Sequence, residues 1–408
     1  MLEDFVGPTA AQRLRSCILG AHIDAFCARL VDLGFRPTTI RQKLWIASDL
    51  ARWMAAERLA VGELGRQRVQ EFLDARRRRS RGFPSTVLLL VEQLGAAGVL
   101  PPSHPVFDDS PMAALLGHYE QYLRHERGIA ESTIGAYLSF VRPFVAGRLA
   151  GGAACSPSLC PSEVTDFLVA RVRRMVPKHA QLMATALRSF LRFLFLRGET
   201  STDLSHAVPT VRQWRLSSVP RYLPEQDVER LLGACDRSSA TGRRDYAVLL
   251  LLARLGLRAS EVVALELGDL RWRAGEIVVR GKGLVHDRLP LPPDVGEALA
   301  LYLRKDRPPG CSRSVFLCTR APHRCFAHPS TVSTIVARAL ARAGLAPPTR
   351  GAHLLRHSLA TAMVRRGASF AEIGQVLRHR SPNTTEIYAK LDFGALRDVA
   401  LPWPGEER

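Results

Sequence analysis

The stretch "SFAEIGQVLRHRSPNTTEIYAKL", Ser369 to Leu391, decides how this chain reads. Ser369 and Glu372 stand at capping-box spacing, so a helix is expected to start at Phe370. Ile373, Val376 and Leu377 form its apolar face, and His379 falls at its C-terminal end. Ser381-Pro382 breaks the chain. Asn383 and Glu386 repeat the capping spacing, which places Tyr388 in the second turn of a new short helix, within reach of a cationic His379. The chain holds only seven tyrosines, and one near its end is ordinarily packing for a last helix. As a nucleophile, Tyr388 needs an anion clamp and proton carriers from elsewhere in the sequence.

Just upstream lies "HLLRHSLATAMVRRG". His353, Arg356 and His357 are at i, i+3 and i+4 and share one helix face, while Leu355, Leu359 and Met363 lie on another and anchor it. Two imidazoles and a guanidinium on one face repel each other unless they receive an anion, which favours a phosphate site over a packing face. Further back, in "ARLGLRASEVVAL", Gly256 helps stop a buried helix and Ser260 with Glu261 can open the next. Arg258 therefore sits at a helix–helix junction, where an ion pair with Glu261 is its structural alternative. Between these motifs, "VVRGKGLVHDRLPL" reads as two strands, with Lys282 held between Gly281 and Gly283 at a hairpin tip. An exposed turn lysine is the ordinary reading there, but lysine is scarce in this chain.

Together these residues make a phosphoryl-transfer site that needs no metal. Two arginine forks can hold the nonbridging oxygens of a phosphodiester, and tyrosine supplies a nucleophile whose product conserves the bond for rejoining. Lysine and histidine can move protons. No acidic cluster suggests a magnesium site.

Composition agrees with a polyanionic partner. The 408 residues carry a formal charge of +19 and a pI near 10.4, and only five of the 57 basic residues are Lys. Such an excess points most simply to nucleic acid. At this length, two or three domains are expected. The longest apolar run is too short to span a bilayer and no signal-peptide order opens the chain, so a cytoplasmic protein is expected. Cys311, Cys318 and Cys325 near His323 and His328 lack zinc-knuckle spacing, and reduced thiols are the better reading.

Proline-rich breaks at Leu100–Pro111 and Arg212–Pro224 divide the chain into three segments. These bound a helical domain over 1–104, a second over 105–215 and a third over 216–408. The first two read as two copies of one helical module, the alternative being two amphipathic helical bundles alike by pattern alone. "RPTTIRQKLWIASDLARWMA" aligns with "AESTIGAYLSFVRPFVAG", pairing Thr39 with Thr133, Ile40 with Ile134 and Leu44 with Leu138. "VQEFLDARRRR" then matches "VTDFLVARVRR", pairing Phe72 with Phe167 and Arg76 with Arg171. The run Arg76–Arg79 with Arg81 suits either a helix C-terminus or phosphate contacts.

The motifs "LGLRASEVVAL", "GKG" before "DRLPL", "HLLRHSLAT" and "LRHRSPNTTEIYAK", in that order, resemble the tyrosine recombinase (phage integrase) superfamily. The intervals of 24 residues from Arg258 to Lys282, 26 from His353 to His379 and nine from His379 to Tyr388 are similar to the family's own. The resemblance covers the third segment. It implies a mainly α fold with a small antiparallel β-sheet in the C-terminal catalytic domain, behind helical DNA-binding domains.

By the same resemblance, Tyr388 attacks the scissile phosphate to give a 3′-phosphotyrosyl link and a free 5′-hydroxyl. Arg258 and Arg356 would clamp the phosphate, Lys282 would be the general acid, His353 would assist proton transfer at tyrosine, and His379 would bind the phosphate. Glu261 and His357 match supporting positions. No cofactor or metal is implied. The partners implied are double-stranded DNA and related recombinases in a homo- or hetero-tetramer, with Trp403 as the anchor of a docking tail. The second segment resembles the core-binding domain, and the first would be an extra DNA-binding module. Recombination on behalf of a mobile element is the expected function. A type IB topoisomerase and an inactive DNA-binding accessory protein are the alternatives, the second opposed by a complete residue set. Arg378, where family members commonly have glycine, departs from the pattern and would add charge near the phosphate.

Overall fold

The computed structural model describes residues 1–76, 83–100, 110–149, 159–212, 219–281, 286–310 and 312–391. Lys282, Arg77 to Arg79, Arg81, Cys311 and Trp403 lie outside the described residues. The chain forms two compact units, one of Met1–Pro101 together with Ser218–Arg408 and the other of Pro102–Ser217. The architecture is mainly helical with one small antiparallel sheet.

The smaller unit is built on the helices Pro111–Gln121, Glu131–Leu149, Pro161–Val172 and Pro177–Leu196. Proline at the first helical position starts three of them, where its missing N–H costs nothing. Their apolar stripes bury Tyr119, Val141, Leu168, Phe190 and Phe193 in one core. Tyr119 meets Phe190 edge-on at 5.1 Å, an arrangement that suits the ring quadrupoles.

In the larger unit, residues up to Leu100 form a helical module around Phe26, Leu44, Leu50, Phe72 and Leu90. Its helices Pro37–Ala56 and Arg66–Ala75 carry the segments paired above with Glu131–Leu149 and Pro161–Val172. In each of the two paired segments an arginine lies over a phenylalanine ring, Arg76 over Phe72 at 5.8 Å and Arg171 over Phe167 at 4.8 Å. The module touches the rest of its unit at the loop before Pro329. There the His323 N–H donates to the Leu33 carbonyl at 3.3 Å, and Arg324 lies 3.6 Å from Glu92.

The remainder of this unit is organised on the helix Ala240–Arg254, whose run from Ala247 to Leu252 is buried throughout. Each large apolar side chain taken fully out of water contributes about 1.5–3 kcal/mol, so this helix forms the core on all sides. Around it pack Glu225–Gly233, Pro293–Lys305, Pro329–Arg342 and His353–Arg365. The sheet runs in the order β1 (Leu270–Arg271), β2 (Glu276–Arg280), β3 (His286–Pro290). Its register pairs Ile277 with Leu289 and Val279 with Asp287, so β2 turns Ile277 and Val279 into the core. The two strands pair as expected, and the expectation for Lys282 lies outside the described residues.

Candidate active site

The helix Phe370–Val376 begins where the sequence placed it. Ser369 Oγ accepts from the Glu372 N–H, and Glu372 reaches back to the Ser369 N–H at 2.7 Å. It ends on Arg378, whose φ of 54° is the left-handed conformation that caps helices and favours glycine. The His379 N–H then donates to the Gly374 carbonyl at 2.8 Å and fixes the turn. Tyr388 lies on a short helix, as expected from its capping residues, and that helix is a 3-10 helix over Glu386–Leu391. Such short pieces commonly adopt the tighter helix.

Arg258 is itself the N-cap of Ala259–Ala264, a position the sequence reading gave to Ser260. Glu261 Oε2 accepts the Arg258 N–H at 2.8 Å, and its other oxygen takes Arg258 Nη1 at 2.6 Å. Arg258 therefore makes the ion pair considered as its alternative while also donating through Nη2 to the Arg378 carbonyl at 3.3 Å. Gly256, which ends the long buried helix, has a φ of 59°, and a Cβ there would come within 2.7 Å of Leu377. That close approach lets buried Arg356 donate Nη1 to the Gly256 carbonyl and Nη2 to the Leu377 carbonyl. One guanidinium thus bridges the end of the helix Ala240–Arg254 and the end of Phe370–Val376.

Arg356 also forms the electrostatic centre. Burial, then Arg258 and Arg378, lower its pKa to about 10. Burial followed by Arg356 and Arg258 pushes His379 down to about 4, and burial with His353 and Arg356 does the same to His357. The expectation of a cationic His379 is corrected on this ground, because desolvation and the adjacent guanidinium groups keep the ring neutral. The self-repelling face relieves itself by losing protons. Neutral His379 shares a hydrogen between Nδ1 and Thr385 Oγ1 at 2.8 Å. The sequence reading missed Thr385, although it stands in "NTTEIY" between the two residues it serves.

Tyr388 is buried among Ala360, Val364, Ile373 and Leu377, and burial raises its hydroxyl to about 12 against a lowering by Arg356. Its Oη lies 2.7 Å from Nδ1 of His357. His353 stands one turn earlier, its ring 6.4 Å from that of His357. The sequence reading did not foresee the contact between His357 and Tyr388. Arg378 does add charge near Arg356, but its guanidinium is committed to Glu261 at 2.8 Å instead of reaching for an anion. Among the described residues no group of His, Cys, Asp and Glu forms a metal cage. His323 Nδ1 faces the Cys318 carbonyl, and His328 Nδ1 faces Ser330.

A buried tyrosine hydroxyl on an imidazole beside clustered arginines, on a helical domain with one small sheet, is an arrangement that a DNA strand-transferring enzyme of the tyrosine class would use. Residues 221–394 match the phage integrase family. The chain is 43% identical over 390 residues to a putative integrase/recombinase, y4rA, of Sinorhizobium fredii, covering 94% of both. It is 32% identical over 314 residues to the tyrosine recombinase XerD of Mycobacterium tuberculosis, covering 72% of this chain and 97% of that one. The chain belongs to the phage integrase family and is a site-specific DNA recombinase. Its fold is also that of solved relatives. The XerH recombinase in its post-cleavage complex with difH matches with a TM-score of 0.56 at 19% identity, over 74% of this chain and 91% of that chain. A lambda integrase tetramer bound to a Holliday junction matches at 0.52 and 18%, over 81% and 90%. Among the described residues no helix is long and apolar enough to cross a membrane.

Proposed function

We propose that Tyr388 is the nucleophile of a recombinase that cuts and rejoins duplex DNA through a 3′-phosphotyrosyl intermediate. In this reading Arg258 and Arg356 hold the scissile phosphate, His379 donates to it, and Lys282 protonates the leaving 5′-oxygen. His353 lies one turn before His357 on the same helix. The observation that carries the reading is the convergence on Arg356 of the carbonyls of Gly256 and Leu377. That bridge joins the arginine-bearing junction, the histidine helix and the end of the helix that leads to the tyrosine segment. An anion arriving there neutralises the clamp and relieves its mutual repulsion.

Residues 1–104 are read as a duplicate of the core-binding module of 105–215, supported by the paired arginine–phenylalanine contacts. The chain also extends beyond a XerD-length protein, since XerD is covered to 97% while 72% of this chain is used. The enzyme is read as acting in the cytoplasm, in a tetramer on DNA, for a mobile element. The test is covalent adduct formation on a nicked duplex whose cleaved fragment diffuses away. Tyr388→Phe is expected to abolish the adduct while leaving DNA affinity in place, and an adduct formed by that variant refutes the assignment.

A further inference from the structure

We propose that His357, and not His353, is the group that orients the Tyr388 hydroxyl and takes its proton when Oη attacks the phosphate. The proposal rests on the reading of Tyr388 as nucleophile and assigns that residue's proton a destination. Nδ1 of His357 lies 2.7 Å from Oη, with the two rings tilted at 56° and their centroids 5.7 Å apart. With Oη donating to Nδ1, the ring carries its own proton on Nε2 and offers a lone pair to the hydroxyl.

The backbone that carries the ring is held within a helix. His357 follows Arg356 directly on the helix His353–Arg365, so the proton acceptor and the phosphate clamp move together. Thr361 Oγ1 donates to the His357 carbonyl at 2.8 Å one turn on. The charged and titratable groups facing the imidazole are His353 and Arg356 on its own helix, Tyr388 from the segment Glu386–Leu391, and His379 from the turn before it. In the DNA-free chain, burial and the two helix neighbours keep His357 neutral. A phosphodiester seated on Arg258 and Arg356 brings negative charge beside the ring and raises its proton affinity. His357 becomes a better base only when there is a phosphate to attack.

The step balances within the chain and the DNA. The Tyr388 Oη–phosphorus bond forms as the bond from phosphorus to the 5′-oxygen breaks. The phenolic proton passes to His357 Nδ1, and the leaving oxygen takes one from Lys282. In the rejoining step both protons return.

The experiment uses the full chain and a duplex recovered from a random library by its own binding, nicked next to the cleavage position. It is made with either a 5′-oxygen or a 5′-bridging sulfur leaving group. Sulfur leaves without a general acid, so it separates the two proton transfers. Gln at 357 can still hydrogen-bond Oη but cannot take its proton. His357→Gln is therefore expected to slow adduct formation by about 100-fold or more on both substrates, the scale of a lost general base. Lys282→Ala should be defective on the oxygen substrate alone. Free imidazole should return part of the rate to His357→Ala, which a packing role would not allow, and His357→Gln carries the test if that variant does not fold. Wild-type rates in His357→Gln, or a defect that the sulfur leaving group removes, overturn the proposal. Absence of any Tyr388-dependent adduct from the unmodified chain overturns the reading of Tyr388 itself, and that of His357 with it.

Discussion

Arg378 Nη2 lies 2.8 Å from Glu261 Oε2, with both side chains buried. The pair ties the end of the helix Phe370–Val376 to the start of Ala259–Ala264, which Arg258 caps. Although burial alone would raise it, Glu261 is held below its ordinary pKa by the Arg258 N–H and the two guanidinium groups. The carboxylate thus stays charged and keeps Arg258 in place.

Two effects oppose each other when Arg378 is changed to glycine. The backbone is relieved of a left-handed φ, worth about 1–2 kcal/mol. The buried carboxylate loses a partner, which costs about 3–5 kcal/mol. Loss of the ion pair wins, and Arg378→Gly is expected to destabilise the chain by roughly 1–4 kcal/mol. Denaturant unfolding measures it. A gain in stability would mean that the glycine common at this position is preferred for its backbone alone.

The sequence made much of this junction readable, because capping residues and helical spacing are local. Ser369 with Glu372 set the start of one helix, and the spacing of His353, Arg356 and His357 set their shared face. In the sequence Arg378 stands out only as a departure from glycine, and its positive φ gives the physical reason. The contacts that escaped are those made across distant segments. That Tyr388 meets His357 depends on how a 3-10 turn packs against a helix some 31 residues upstream. That Arg356 reaches the Gly256 carbonyl depends on a contact across 100 residues. No periodicity encodes either.

The depressed histidines make stability depend on pH. His357 and His379 both titrate near 4 in the folded chain against an ordinary 6.5. Between those values the unfolded chain binds more protons than the folded one, so acid favours unfolding. The stabilisation is complete above about pH 6.5 and is lost as pH falls toward about 4. Thermal unfolding followed over that interval should show a falling midpoint. His379→Gln should flatten the slope, and an unchanged slope in that variant would show that other groups control it.

Gly34 has a φ of 77°, and a Cβ there would lie 2.2 Å from Cδ2 of His323. The imidazole is not free to swing away, because its Nδ1 faces the Cys318 carbonyl at 2.9 Å. Gly34→Ala is therefore expected to open the contact between the first helical module and this loop. Hydrogen exchange at the amide of His323, which donates to Leu33, should quicken. The double variant Gly34→Ala/His323→Ala removes the clash but keeps the backbone cost of about 1–2 kcal/mol, so it should recover only part of the protection. Full protection in the single variant would show that the loop accommodates the methyl group.

Arginine at 356 is expected to resist even conservative replacement, for reasons that separate it from Arg258. Its fork spans two carbonyls that belong to different helices, Gly256 and Leu377, in a buried setting. A lysine ammonium is a single point and cannot serve both in that geometry. Arg356→Lys therefore leaves a buried carbonyl unpaired, at about 1–3 kcal/mol. Arg258 is about one-third exposed, at 34%, and Glu261 keeps the Arg258 N–H and Arg378 whatever side chain stands at 258. Arg258→Lys should lower the rate of adduct formation while leaving the unfolding midpoint close to that of the unmodified chain. Arg356→Lys should lower both. Equal stability in the two variants would show that the bridge through Arg356 does not hold these helix ends together.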